Sequence, residues 1–334
     1  MPELRIDPLS GLRVIVAEQR GERPGAWVGG ETRAAIDPAT DPFAEGHEGQ
    51  TPPELFALRA AGSTADGPGW TVRVVPNRYP ALVAGEPGGS DPLDSGHGQP
   101  ELLVRRPATG AHELIVNGPA SVASLHELGA GGLAAAMGVW RERMRVHAGA
   151  AHVHVIVNEG DLAGASLAHT HAQLYALGFV PAAVARERER FTAYHDRTQG
   201  RNLLADVVQE EVRLRERLVA VDREAVAICP FASRGPFHVQ IVPRSPAARF
   251  EDDGPLGAAL LHGVLGRLAE TLGRLPPLNL WVRTAPQGAH SFCWRIDVVP
   301  RLDQPAGLEL GAGVQLCTLA PERAAERLRA AAVA

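Results

Sequence analysis

The chain has 334 residues, of which 45% are hydrophobic and 21% are charged. This composition is typical of a folded globular protein, and the length exceeds what one hydrophobic core usually organises, so we expect two subdomains. The formal net charge of −5 comes from 38 acidic and 33 basic residues, and all 33 basic residues are arginine. Without a basic stripe or tail, this balance argues against nucleic acid as a partner.

The sequence also bears on the compartment. The first ten residues carry charges and no apolar run, and no stretch approaches the ~20 apolar residues of a membrane span. The three cysteines, Cys229, Cys293 and Cys317, lie far apart, which disfavours a disulfide framework. We therefore expect a cytoplasmic protein without a membrane segment.

The hydrophobic patterns divide the chain into two similar halves. In the first half, strand patterns occur at residues 12–17, 70–75, 113–116, 152–157 and 167–176, with a Pro-, Gly- and acid-rich loop at 37–53 and a helix at 125–146. In the second half, a charged helical segment at 181–224 precedes strands at 225–227, 237–242, 278–283 and 294–299 and helices at 256–275 and 321–333. We predict an α+β fold of two halves, residues 1–180 and 181–334, each an antiparallel sheet with packed helices.

The most informative stretch is residues 158–173, at the end of the first half. In an extended strand, His169, His171 and Gln173 would form one polar row. A neutral imidazole is a competent nucleophile toward phosphorus and leaves readily when protonated, while a carboxamide stabilises charge on the phosphoryl oxygens. Gly164 and Ser166 precede the strand in a turn, where we expect a backbone N–H and a hydroxyl to approach phosphate. His171 is the candidate nucleophile.

Residues 163–173 read Ala-Gly-Ala-Ser-Leu-Ala-His-Thr-His-Ala-Gln. This segment resembles the active-site segment of galactose-1-phosphate uridylyltransferases, a branch of the histidine-triad superfamily. Other segments similar to that family follow in the same order, at residues 20–24, 51–54, 74–82, 229–237 and 306–313. The resemblance implies two histidine-triad-like halves and favours a homodimer active in galactose metabolism.

The resemblance implies a ping-pong reaction between a nucleotide sugar and a sugar 1-phosphate. His171 would attack the α-phosphorus and form a nucleotidyl-histidine, which a second sugar 1-phosphate then resolves. In the family, the other ring nitrogen of the nucleophile donates to a backbone carbonyl of the same strand, here that of His169.

The resemblance also assigns residues to the substrate. It implies that Gln173 contacts the phosphoryl oxygens with help from Asn158 and Ser166. It further places Asn77 near the ribose or base, and Arg20 and Arg23 near the diphosphate.

Three related functions remain open. A nucleotide-sugar phosphorylase would use inorganic phosphate as the acceptor, and a histidine-triad hydrolase would use water. A non-catalytic homologue would bind nucleotide without turnover. The acceptor stays open because the second half departs from the family pattern, with Cys293-Trp-Arg295 where a His-x-His pair is common.

Family members often carry a structural zinc, held by a Cys-Pro-Phe-Cys loop, a downstream His and the first His of the pair. Here the loop at residues 41–44 reads Asp-Pro-Phe-Ala and the downstream position is Ser121, so only His169 remains. Because a closed tetrahedral site needs four ligands, we predict that the chain has no zinc or other cofactor. An irregular site of Asp41, His47 and His169 is the alternative.

Four further histidines are predicted to lie outside any metal or catalytic site. His152 and His154 share a strand face, and without a third ligand they are expected to be structural or solvent-facing. His112 and His126 each precede a glutamate and are expected at the surface.

Overall fold

The computed structural model describes residues 1–22, 36–85 and 102–332. Within them the strands are β1 (Glu3–Ile6), β2 (Arg13–Val16), β3 (Phe56–Arg59), β4 (Trp70–Pro76), β5 (Gly110–Val116), β6 (His152–Glu159), β7 (His171–Leu177), β8 (Leu218–Val221), β9 (Ala225–Ile228), β10 (Val239–Pro243), β11 (Leu278–Arg283), β12 (Arg295–Pro300) and β13 (Gln315–Cys317). The α-helices are α1 (Gly129–Val146), α2 (Ala182–Arg197), α3 (Leu203–Leu214), α4 (Ala258–Leu272), α5 (Gly307–Ala312) and α6 (Pro321–Ala330). Short 3-10 helices lie at Glu18–Glu22, Glu48–Gln50 and Asp161–Ala163.

One antiparallel sheet runs through both halves of the described chain. Its strand order is β3-β4-β5-β7-β6-β11-β12-β10-β9-β8, so five strands precede residue 180 and five follow it. Counted inward from the two edges of the sheet, both sets follow the same pattern, β3-β4-β5-β7-β6 from one edge and β8-β9-β10-β12-β11 from the other. The two sets meet where β6 pairs with β11. The predicted α+β fold is confirmed, and the strands of both halves share this single sheet. The exact boundary between the halves stays a prediction.

The two faces of the sheet differ in polarity because side chains alternate along each strand. On β7, Ala172 and Leu174 belong to the main hydrophobic core, which α1, α4 and α6 cover. His171 and Gln173 therefore lie on the opposite face, which carries the candidate site. Helices α2 and α3 cover this second face over β9, whose residues are all buried.

A smaller sheet brings the two ends of the chain together. Strand β2 pairs antiparallel with β1 and parallel with β13. The arrangement is reinforced by Arg5, whose guanidinium lies 2.9 Å from the carboxylate of Glu322 in α6. Consequently the segment after β2 is placed against the second half of the chain.

The structure corrects two element predictions. The helical pattern at residues 181–224 ends early, because residues 218–221 form β8, which pairs with β9. Val219 and Val221 are β-branched, which favours a strand at this edge of the sheet. The second correction is that β7 begins at His171, four residues later than the pattern predicts. No α-helix among the described residues is long and apolar enough to cross a bilayer.

Candidate active site

His171 is the first residue of β7, between β5 and β6, and only 5% of its surface is exposed. Its Nδ1 lies 2.8 Å from the carbonyl oxygen of His169, the contact that the resemblance implies. Because a carbonyl oxygen only accepts hydrogen bonds, Nδ1 carries the proton and Nε2 of the neutral ring carries the lone pair. Among the described residues, the side-chain hydrogen bond of His171 is therefore made by Nδ1 and not by Nε2.

The surroundings of His171 favour its neutral form. Burial lowers the pKa of the imidazole below its ordinary value, and the hydrogen bond to the carbonyl of His169 acts in the opposite direction without cancelling it. The ring of Phe43 meets the imidazole edge-on, with 5.3 Å between the ring centroids. The site therefore presents an uncharged nucleophile against an apolar wall.

Gln173 follows on the same face, and its side-chain amide is held by two donors. The hydroxyl of Tyr175 donates to Oε1 over 2.8 Å, and Nε2 of His112 lies 3.1 Å from the same oxygen. Nδ1 of His112 accepts from the backbone N–H of Ala81 at 3.1 Å, so Nε2 of the neutral ring carries the proton. With Oε1 engaged twice, the amide nitrogen of Gln173 is left to donate to a ligand.

His112 also corrects a prediction. Only 8% of its surface is exposed, and its ring stacks on Tyr175 with 4.1 Å between the centroids. Burial lowers the pKa of His112, which the hydrogen bond with Gln173 partly offsets. His126 is half-buried against His262. Both are predicted at the surface, whereas His112 is buried and His126 is half-buried, because their partners come from distant segments.

The two predicted asparagines lie on either side of this group. Nδ2 of Asn77 lies 3.4 Å from Nδ1 of His112, the ring nitrogen that accepts, beside Gln173. Asn158 accepts a 2.8 Å hydrogen bond from Asn279 across the β6–β11 pair. The structure thus brings Asn77 to the nucleophile strand and ties Asn158 to the second half.

His169 leaves the predicted polar row. It lies before β7, and its ring contacts Asp41 through Nδ1 at 2.7 Å and the carbonyl of Gly118 through Nε2 at 2.9 Å. The expected row of three is wrong for this residue, because β7 begins at His171 and the ring of His169 is held by contacts outside the strand. Between the histidines, the hydroxyl of Thr170 donates to Glu159 at 3.0 Å.

The turn before β7 is built differently from the prediction. Gly164 has a φ of +80°, which favours glycine, and its N–H donates to the carbonyl of Asp161 at 2.9 Å. That N–H is therefore engaged in closing the turn and does not point to a ligand. Ser166 is exposed to solvent on the same turn.

Arg20 lines a separate cavity of about 680 Å³. Arg234, Arg301, Asn279 and Trp281 share its wall. Asn279 also donates a hydrogen bond to Asn158, so the cavity adjoins the face of the large sheet that carries the candidate site. Arg23 lies outside the described residues.

Sequence reasoning missed the roles of His112, Tyr175 and Phe43. For His112 such a signal exists, because β5 begins three residues before the predicted start of the strand. The longer strand places His112 opposite Tyr175. No local signal identifies Phe43, since its loop has no periodic pattern.

The metal ligands that the resemblance implies do not assemble here. Among the described residues, no group of three or more His, Cys, Asp or Glu side chains is arranged to hold a metal ion. His47 contacts the backbone carbonyl of Asp41 through Nδ1 at 2.6 Å and not its carboxylate.

Comparison with known proteins agrees with this geometry. The family model for the N-terminal domain of galactose-1-phosphate uridyl transferase matches residues 1–181. An ADP-glucose phosphorylase from Arabidopsis thaliana is 27% identical over 98% of this chain and 92% of its own length. A probable galactose-1-phosphate uridylyltransferase from Drosophila melanogaster is 27% identical over 98% of this chain and 95% of its own length.

The fold of this chain is also similar to that of a solved structure. The crystal structure of an ADP-glucose phosphorylase from Arabidopsis thaliana with bound ADP-glucose superposes with a TM-score of 0.78 at 25% identity, covering 100% of both chains. The predicted family is confirmed: this chain belongs to the galactose-1-phosphate uridyl transferase family.

Proposed function

We propose that this protein moves a nucleoside monophosphate from a nucleotide sugar to a second phosphate-bearing acceptor through a covalent intermediate on His171. Family membership makes the chain a nucleotidyl-transfer enzyme of the uridylyltransferase kind. The observation that carries the assignment to His171 is its hydrogen bond to the carbonyl of His169. This contact fixes the tautomer in which Nε2 is ready to attack.

The first half-reaction forms one bond and breaks one. Nε2 of His171 attacks the α-phosphorus of the nucleotide sugar, and a P–N bond forms. The P–O bond to the sugar phosphate breaks, and its electron pair leaves with the sugar 1-phosphate. The imidazole becomes cationic, and the carbonyl of His169, which already accepts from Nδ1, stabilises this charge.

The second half-reaction reverses this chemistry with a different acceptor. A phosphate oxygen of the acceptor attacks the phosphorus, and the P–N electron pair returns to His171. In both steps negative charge builds on the non-bridging oxygens. We assign Gln173 to that charge, because its Oε1 is held by Tyr175 and His112 and its amide nitrogen is free to donate.

The remaining substrate contacts are part of the same proposal. Asn77 is assigned to the nucleoside, and Asn158 and Ser166 to the phosphoryl group. Arg20 and Arg23 are assigned to the diphosphate, since guanidinium groups bind phosphate in a bidentate manner. Three arginines, Arg20, Arg234 and Arg301, line one cavity together with two carboxylates, Asp303 and Glu309, and this excess of cations supports binding of an anionic ligand there.

The decisive experiment is a search for the intermediate. The protein is incubated with UDP-glucose or ADP-glucose, the reaction is quenched in base, and the mass of the intact protein is measured by mass spectrometry. We expect one nucleotidyl adduct per chain in the wild type and none in His171→Ala. The proposal fails if no nucleotide sugar gives an adduct, or if the adduct survives the substitution.

A second candidate is a phosphorylase, in which inorganic phosphate is the acceptor. Its support is the 27% identity with an ADP-glucose phosphorylase over 98% of this chain. The two candidates differ in what resolves the purified adduct. Galactose 1-phosphate, inorganic phosphate and buffer alone are added in parallel, and release of a nucleotide sugar, a nucleoside diphosphate or a nucleoside monophosphate identifies transferase, phosphorylase or hydrolase.

We also propose that the protein is a cytoplasmic homodimer. The proposal rests on the family resemblance, and sedimentation velocity at micromolar concentration tests the dimer. A single species with the mass of one chain would refute it. Fluorescence imaging of a tagged chain in its own host tests the compartment.

A further inference from the structure

Of the four positions at which the family resemblance implies a zinc, three are joined by hydrogen bonds, and the fourth lies in the same loop as one of these three. Here they are Asp41, Ala44, Ser121 and His169. The donor set does not fit a structural zinc, because the methyl group of Ala44 has no ligand atom and the hydroxyl of Ser121 is neutral. Both ring nitrogens of His169 are moreover engaged by protein oxygens.

A carboxylate occupies the centre of this group. Oδ2 of Asp41 accepts from the hydroxyl of Ser121 at 2.6 Å and from Nδ1 of His169 at 2.7 Å. Its Oδ1 accepts from the backbone N–H of Phe43 at 3.0 Å. Asp41 is 4% exposed and His169 2% exposed, so these are hydrogen bonds away from bulk water.

Hydrogen bonds also engage both nitrogens of the His169 ring. Nδ1 of His169 faces the Asp41 carboxylate and Nε2 faces the carbonyl of Gly118, and both oxygens accept from the ring. Burial alone would raise the pKa of Asp41, but the hydrogen bonds from Ser121 and His169 outweigh it and hold the pKa below its ordinary value. Hydrogen bonds of this charge-assisted kind are stronger than neutral ones.

We propose that this hydrogen-bond network, centred on Asp41, replaces the metal in this chain and positions the nucleophile. The network joins three segments, at residues 41–47, 118–121 and 169–171, which a shared metal would otherwise hold. Two contacts then reach His171 from it: the carbonyl of His169 holds Nδ1, and the ring of Phe43 packs against the imidazole. Asp41 is thus a positioning residue that never touches the substrate.

The first test concerns metal and stability and is independent of the proposed function. The wild-type protein is dialysed against zinc, freed of excess metal and analysed by inductively coupled plasma mass spectrometry. We expect no retained stoichiometric zinc and a melting temperature that EDTA does not change. One tightly bound zinc per chain, whose removal lowers the melting temperature, would overturn the proposal.

The second test concerns positioning and rests on the proposed function. Asp41→Asn keeps the shape of the side chain but removes the charge and one acceptor. Loss of such a supporting contact typically costs on the order of 10- to 100-fold in activity. We expect a loss of this size in the rate of adduct formation, with KM for the nucleotide sugar unchanged. Asp37→Asn, at an exposed position of the same loop, is the matched control.

The outcomes of this second test separate the two proposals. If the wild type forms no adduct, the proposed function fails, and the metal and stability measurements still decide the network. If the wild type forms the adduct and Asp41→Asn matches it in melting temperature and adduct rate, the network has no role and the proposal is wrong.

A third test restores the lost ligands. The variant Asp41→Cys, Ala44→Cys, Ser121→His adds three ligands to His169. We expect it to bind one zinc per chain and to lose thermal stability in EDTA, unlike the wild type. A folded variant that binds no zinc would show that the positions are not equivalent to a metal site, and it would count against the replacement.

Discussion

The hydroxyl of Tyr175 donates to Oε1 of Gln173 over 2.8 Å, and the two side chains lie two residues apart on one face of β7. An amide can rotate by half a turn and exchange its oxygen for its nitrogen at little steric cost. The hydroxyl and the imidazole of His112 together select one orientation, with the nitrogen left for the phosphoryl oxygens.

Tyr175→Phe is therefore expected to lower kcat with little change in KM. Loss of one neutral hydrogen bond corresponds to about 1 kcal/mol, or roughly fivefold in rate. The measurement is a double-mutant cycle with Gln173→Ala. In the Gln173→Ala background the effect of Tyr175→Phe should vanish, and an undiminished effect would assign Tyr175 another role.

Gln173→Ala itself is expected to lower kcat by about 10²- to 10³-fold, the usual cost of removing one donor to a developing negative charge. Single-turnover formation of the adduct measures the step directly. An equal loss in the affinity for the nucleotide sugar, with an unchanged rate at saturation, would mean that Gln173 serves ground-state binding instead.

The pH dependence of adduct formation should reflect the buried state of His171. Because burial lowers its pKa, the imidazole stays neutral and nucleophilic at pH values where an ordinary histidine, with a pKa of about 6.5, is already protonated. We expect the rate, followed by rapid quench from pH 5.5 to 8, to stay flat through pH 6.5. Half-loss of the rate near pH 6.5 would contradict the assignment.

Stability should fall in acid because of His152, which is 1% exposed. Burial, together with the charge of His154, lowers its pKa to about 3. Between this value and the unfolded value of about 6.5, only the unfolded chain binds the proton, so stability decreases as pH falls, by about 1.4 kcal/mol per pH unit. Urea unfolding at pH 7 and pH 5 should show a shallower loss for His152→Leu, and an unchanged slope would exclude this residue as the cause.

The second half contains a buried charged cluster around Asp297, which accepts from His238 at 3.0 Å and Gln240 at 2.8 Å and lies 3.0 Å from Arg295. Removing one partner of a buried ion pair leaves an uncompensated charge and costs about 3–5 kcal/mol. We expect Asp297→Ala to lose this much unfolding free energy in urea. A loss below about 1 kcal/mol would show that water replaces the carboxylate.

The sequence predicted those parts of the site that depend on local pattern. The alternation along β7 places His171 and Gln173 on one face, and the family resemblance implied the contact between His171 and the carbonyl of His169. The unforeseen parts depend on contacts between distant residues. Asp41 meets His169 across 128 positions and His112 meets Gln173 across 61, and no local periodicity carries such information.

The same limit explains the element errors. Residues 218–221 continue a charged helical segment, but pairing with β9 makes them a strand. His169 fits the strand pattern by spacing, yet β7 begins two residues after it, and its ring is hydrogen-bonded to Asp41. In both cases a tertiary contact outweighs the local preference.

The pairing of β6 with β11 has a consequence for synthesis of the chain. Strand β6 follows α1 directly, whereas β11 is made only after α2, α3 and α4. A nascent first half thus leaves the ribosome with an open sheet edge, a template for pairing with other chains. We expect a fragment ending at residue 181 to aggregate although it contains the whole nucleophile strand. Its edge strand β6 lacks the partner β11, which belongs to the second half.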